Sequence, residues 1–174
     1  MKNFRLNLFY AKWIMPFLGL ALLFSCQQKE QKPDQKKTNA KNIDSLYQLQ
    51  VDLSQVSLNE EATEIALKWE DYMATQTELE QWQDYQFTEI LSNTDNLQSV
   101  TDSLRISVPK KFNNKPIQSR LKTLSTQANM LDLYVEKSDD HQAMYNQAQS
   151  IVTTFIGLKR QMNEVFIEEF RIEK

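Results

Sequence analysis

The chain holds one imidazole, His141, with two acids directly before it, Asp139 and Asp140. The trio invites a metal, but one histidine beside adjacent acids at a helix start reads first as a solvated surface feature. Zinc sites built from Cys and His need several of each, and this chain has one of each. Di-iron bundles need Glu-x-x-His pairs facing inward, and none occurs. A Ser-His-Asp system would have to use His141, and no nucleophile elbow accompanies it. Gly157 is the sole glycine after residue 25, so no Gly-rich loop can cradle a phosphate. Glu60 and Glu61, like Glu168 and Glu169, are sequence neighbours. Adjacent helix positions point roughly 100° apart, so these are solvated faces and not acid–base pairs. No catalytic residue, metal ligand or cofactor is expected, and the chain reads as a non-enzyme.

Trp69, Tyr72, Trp82 and Tyr85 are more suggestive. Their spacing is helical, which reads first as core packing. Any of them left exposed would mark a partner or apolar-ligand surface. Lys110, Lys111 and Lys115 crowd a segment that also holds Pro109, Asn113, Asn114 and Pro116. That segment is a loop by composition, and its lysines read as solvated, with a local anion patch as the alternative.

The one thiol, Cys26, has an unusual setting. Residues 1–12 carry Lys2, Arg5 and Lys12 and no acid, and residues 13–24 form a run without charge. Twelve apolar residues fall short of the roughly 20 that a spanning helix needs. A basic start followed by a short apolar run is the pattern of a secretory signal peptide. The run ends in Leu23, Phe24, Ser25 and Cys26. This ending resembles the lipobox of bacterial lipoprotein precursors. The resemblance implies that the Cys26 thiol receives diacylglycerol and that cleavage falls before it. Leu23 and Ser25 would then be signal-peptidase recognition positions. It also implies a membrane as the first partner, reached through acyl chains that contribute about 0.8 kcal/mol per buried methylene.

Residues 27–41 contain no apolar side chain larger than alanine or proline. Such a stretch cannot bury enough surface to offset its ordering entropy, and reads as a disordered tether with a reach of roughly 20 Å. Its five lysines against Glu30 and Asp34 give +3, whereas residues 42–174 carry 12 bases and 21 acids, or −9. The lysines suit anionic headgroups, although a solvated linker explains them as well. Without residues 1–25 the net charge of −3 falls to −6. That sign argues against nucleic acid, which calls for a basic footprint.

The remainder reads as helix. Met144, Ala148, Ile151, Phe155, Leu158, Met162 and Val165 recur at alternating steps of four and three, with Val152 and Phe166 widening the stripe. Ile117, Leu121, Leu124, Ala128, Leu131 and Val135 do the same. This spacing predicts a hairpin of two helices, about 116–137 and 140–172, joined by a polar break. Upstream, Ser57 and Glu60 suggest a capping box. They open a run over about 58–107 that is either continuous or restarted near 92–96, where Ser, Asn, Thr and Asp are weak helix formers. Residues 42–55 make a shorter first helix. The expected fold is all-α, an antiparallel bundle of three to four helices over 42–174, behind a signal peptide (1–25) and a tether (26–41).

The expected role follows from the anchor and from the missing chemistry. The chain reads as an envelope lipoprotein acting as an interaction or scaffolding module, with another envelope protein as partner or with self-association through its heptads. The place implied is the periplasmic side of the outer membrane, with surface display as the variant. The alternative is a carrier or sensor holding an apolar ligand between helices.

Overall fold

The computed structural model describes residues 34–172, with side chains from 39 to 167. Leu23, Ser25 and Cys26, with the leader around them, lie outside the described residues. The chain divides into two compact units, Met1–Lys36 and Lys37–Lys174. The helices below belong to the second, apart from the first three residues of the earliest one.

Every regular element among the described residues is helical. In chain order the helices are α1 (Asp34–Leu46), α2 (Glu60–Ala66), α3 (Glu70–Gln81), α4 (Phe87–Leu91), α5 (Thr94–Ile106), α6 (Lys115–Lys137) and α7 (His141–Ile172). The chain is therefore an all-helical bundle closed by the hairpin α6–α7. No helix among the described residues is long and apolar enough to cross a membrane.

The hairpin follows its sequence pattern closely. Ile117, Leu121, Leu124, Ala128 and Leu131 are buried on α6, and Met144, Ala148, Ile151, Phe155, Leu158 and Met162 on α7. Asn114 caps α6 by accepting the Ile117 N–H at 3.0 Å, and Pro116 sits in the first turn, where its missing N–H costs nothing. Asp140 caps α7 by accepting the Ala143 N–H at 3.0 Å.

Upstream of the hairpin the structure differs from the expectation. The 58–107 run is broken three times, not only near 92–96. Trp69, in extended backbone, precedes α3, and its indole N–H donates to Ser107 Oγ at 2.8 Å. The second break holds Gln86, whose N–H donates to Glu89 at 2.7 Å. There α4 receives its anion from another helix, because Asp44 of α1 accepts both the Thr88 N–H (2.9 Å) and its hydroxyl (3.0 Å). The cap of α2 is Asn59, accepting the Ala62 N–H at 2.8 Å, and not Ser57. The first helix also sits earlier than expected. It starts at Asp34, within the stretch read as tether, and ends at Leu46, where the Tyr47 N–H still donates to Ile43 O at 2.9 Å. Lysine, glutamine and alanine are good helix formers even without an apolar face.

A polar ladder fixes the register of the bundle. On α5, Thr94 donates to Asp132 at 2.7 Å, Gln98 pairs with Asn129, and Asp102 accepts from Ser125, so 94, 98 and 102 face 132, 129 and 125 on α6. The opposing order makes α5 and α6 antiparallel. Thr75 with Val100 O, and Glu78 with Asn96, set α3 against α5 in the same way. Thr75, Glu78, Thr94, Thr101 and Ser125 are buried. Each satisfied bond contributes only about 1 kcal/mol net, but a slipped register would orphan several of these groups at once.

Candidate ligand-binding cleft

The middle of α7 is enclosed. Residues 155–159 are all buried, and a helix stretch buried all round lies at the centre of its fold. On one side the chain between α1 and α2 crosses it as a strap. A 3-10 turn, Leu53–Gln55, lies midway along the strap. Asp52 caps that turn, accepting the Ser54 N–H at 3.0 Å and its hydroxyl at 2.6 Å, and these two bonds hold the Asp52 carboxyl below its usual range.

Two side chains one helical turn apart stitch the strap to α7. Lys159 Nζ donates to Leu53 O at 2.7 Å. Asn163 accepts the Asn59 N–H and donates to Ser57 O, both at 2.9 Å. Lys159 is 8% exposed, and burial lowers its pKa while the Glu80 and Asp52 charges work in the opposite direction.

Between strap, α2, α3 and α7 lies an open cleft of about 320 Å³ with a mixed lining, apolar at Leu58, Ala66, Leu67 and Met73 and polar at Ser57, Thr63, Tyr72, Gln76 and Lys159. Lys159 also borders a second hollow, of about 410 Å³, with Leu53, Glu80 and Asp84. Tyr72 is 1% exposed. Its ring stacks on Phe155 (5.5 Å between centroids) and on Trp69 (5.8 Å), yet its hydroxyl has no hydrogen-bond partner. Burial, with the Glu80 charge behind it, pushes the phenol above its ordinary pKa, so it stays protonated at neutral pH.

Of the four aromatics singled out from the sequence, Trp69, Tyr72 and Trp82 are core, at 3%, 1% and 1% exposure. They therefore offer no outer surface. Their helical spacing meant packing, and of them Tyr72 lines the cleft. Tyr85 is half-buried and donates to Gln81 at 3.3 Å. His141 stacks on Tyr47 at 6.3 Å, beside Tyr145 and Phe87. Among the described residues, no group of three His, Cys, Asp or Glu could hold a metal ion. The lysine-rich loop is pinned by fully buried Phe112, and Lys111 lies over the Phe166 ring at 5.4 Å.

Lys159 is the residue that sequence reading missed. A signal existed: it stands seven residues after Val152 and seven before Phe166, on the stripe that widens the core face of α7. A lysine at a core position of an amphipathic helix is a buried charge by register alone.

The cleft thus combines polar and apolar side chains in an open depression beside the strap. No family model, curated protein or solved structure matches the chain.

Proposed function

We propose that this chain is a cell-envelope lipoprotein in which acylated Cys26 holds a helical, non-enzymatic interaction or scaffolding module at a membrane surface, most naturally the periplasmic face of the outer membrane. One observation carries the reading. It is the order of residues 1–26, a basic start, a twelve-residue apolar run and then Leu23, Phe24, Ser25 and Cys26. A single acyl chain holds a protein only marginally, and two or more make the attachment lasting. The helical bundle supports the second half of the proposal, since its apolar stripes are spent on its own core. Met130 and Leu133, a turn apart on α6, are 41% and 51% exposed, and Leu46, Leu67, Ile106 and Ile167 are exposed elsewhere; such side chains are the apolar contacts available to a partner or a second copy.

The test is metabolic labelling with palmitate, with membrane fractionation of the wild type and of Cys26→Ala. The wild type should carry label and sediment with membranes, and Cys26→Ala should do neither. Label on the variant, or an unlabelled wild type, overturns the anchor.

A second reading, a carrier or sensor for a small ligand held between helices, is favoured by the cleft beside Tyr72. The close packing of Trp69 and Trp82 speaks against a ligand deep between them.

A further inference from the structure

We infer that Arg120 of α6 and Arg160 of α7, which flank Gly157, form a binding site for a phosphate monoester. The inference goes beyond the carrier-or-sensor reading. Its site shares no residue with the Tyr72 cleft and does not depend on the anchor at Cys26.

Two hollows meet around Gly157. One, of about 250 Å³, lies between the strap and α7 and includes Gln149, Thr153, Gly157 and Arg160 in its lining. The other, of about 330 Å³, lies between α6 and α7 and includes Ser119, Arg120 and Thr123. Arg160 stands three residues after Gly157, and positions three apart are neighbours on a helix surface. Arg120 reaches the same place from α6, because its Nη1 lies 2.8 Å from where a Cβ at residue 157 would stand. A side chain there would displace the guanidinium. Glycine weakens a helix interior, and its missing side chain is what seats Arg120 here.

The charge of the ligand follows from the surroundings of the pair. Residues 42–174 carry 21 acids against 12 bases, yet neither hollow has a carboxylate in its lining. Among the described residues, no acid pairs with either guanidinium. Glu164, one turn past Arg160, accepts from Gln161 instead, and Asp52 of the strap accepts from Ser54. Two like charges are thus brought to one glycine without a counter-charge, which is unfavourable until an anion joins them. A guanidinium presents its N–H donors as a planar fork that fits phosphate and carboxylate oxygens. Two such charges match a phosphate monoester, which is close to a dianion at neutral pH, whereas a carboxylate would leave one unbalanced. The hydroxyls and amide of Ser119, Thr123, Thr153 and Gln149 suit a hydroxylated remainder such as a sugar.

The test is titration calorimetry on the full mature protein, purified from membranes into phosphatidylcholine nanodiscs, with empty nanodiscs as the blank. The probes are glucose 6-phosphate, inorganic phosphate and glucuronate at neutral pH. The expected result is saturable binding of both phosphates, with glucuronate weaker than glucose 6-phosphate by at least about tenfold. Arg120→Gln and Arg160→Gln, both at exposed positions, should each weaken glucose 6-phosphate by at least about tenfold, as loss of a charge-assisted hydrogen bond does. Gly157→Ala should weaken it too while melting no lower than the wild type, so that loss cannot be ascribed to unfolding. Phosphatidylcholine vesicles carrying phosphatidic acid, a lipid phosphate monoester, separate the two sources of the group. Displacement of glucose 6-phosphate by them assigns the site to a lipid headgroup, and no displacement assigns it to a soluble ester. Glucuronate binding as tightly as glucose 6-phosphate overturns the phosphate assignment. No saturable binding of either phosphate, or unchanged binding by Arg120→Gln, overturns the site. The titration reads the same whether or not Cys26 carries lipid, so its failure is separate from failure of the anchor.

Discussion

Lys159 of α7 donates a 2.7 Å hydrogen bond to the carbonyl oxygen of Leu53, and this contact ties the most enclosed turn of the bundle to the strap between α1 and α2. The same part of the bundle encloses the Tyr72 hydroxyl, which is buried and has no hydrogen-bond partner, an arrangement that lowers stability.

Tyr72→Phe should therefore stabilise the protein by about 1 kcal/mol, the low end of the cost of an unpaired buried hydroxyl. The sign with pH follows from the raised phenol. The unfolded phenol ionises near 10 and the folded one later, so its contribution is fully present below about pH 10 and lost as pH rises through the folded value. Urea denaturation between pH 8 and 11.5 should show the gap between variant and wild type widening above pH 10. A constant gap would mean that the phenol is solvated.

Lys159 works in the other direction. Its lowered pKa means that the unfolded chain holds the proton more tightly, so stability rises with pH between the folded value and the ordinary lysine value of about 10.5. Lys159→Met should flatten that rise in the same denaturation series. An unchanged slope would place the ammonium in water.

Asn163→Ala removes the partners of the Asn59 N–H and the Ser57 carbonyl together. At about 1 kcal/mol for each bond, the loss should be about 2 kcal/mol. Amide exchange at Asn59 should speed up while the α6–α7 hairpin keeps its protection. Equal acceleration throughout would show that the strap is not a separate layer.

Asp44→Ala should cost about 1 kcal/mol, as loss of a helix cap does, because Asp44 supplies the anion at the start of α4 from a different helix. Amide exchange should quicken at Thr88 and in α1 together. If only Thr88 responds, α1 is held by its apolar contacts alone.

Gly157→Ala should stabilise α7 by up to about 1 kcal/mol, the helix-propensity difference. An alanine Cβ would lie 2.8 Å from Arg120 Nη1, the far end of an exposed, flexible side chain that can swing away. What fills the space over Gly157 is therefore a guanidinium, and not a closely approaching helix backbone. A lowered melting temperature would mean that Arg120 is held in place.

These contacts separate what the sequence states openly from what it conceals. The hairpin was legible because its stripes are buried by helices of regular length, and seven-residue spacing reports that directly. The breaks at Trp69 and Gln86 were not, since the groups that hold them, Ser107 and Asp44, lie far away in sequence. The capping box at Ser57 and Glu60 was a local pattern overridden by Asn59, whose N–H is claimed by Asn163. The ladder of Thr94, Gln98 and Asp102 is spaced every four residues, but polar residues at that spacing read equally well as a solvated face until α6 is seen against them. Tyr72 was legible as a core aromatic by its helical spacing, and its burial agrees, but nothing local showed that its hydroxyl would lack a partner. Lys159 was hidden by its residue type, though its place between Val152 and Phe166 gave it away.

The most direct test of the central claim is the mass of the N-terminal peptide from protein extracted from native membranes. A peptide beginning at Cys26 and heavier by a diacylglyceryl group is the expected result. An unmodified peptide that still contains Leu23, Phe24 and Ser25 would contradict it.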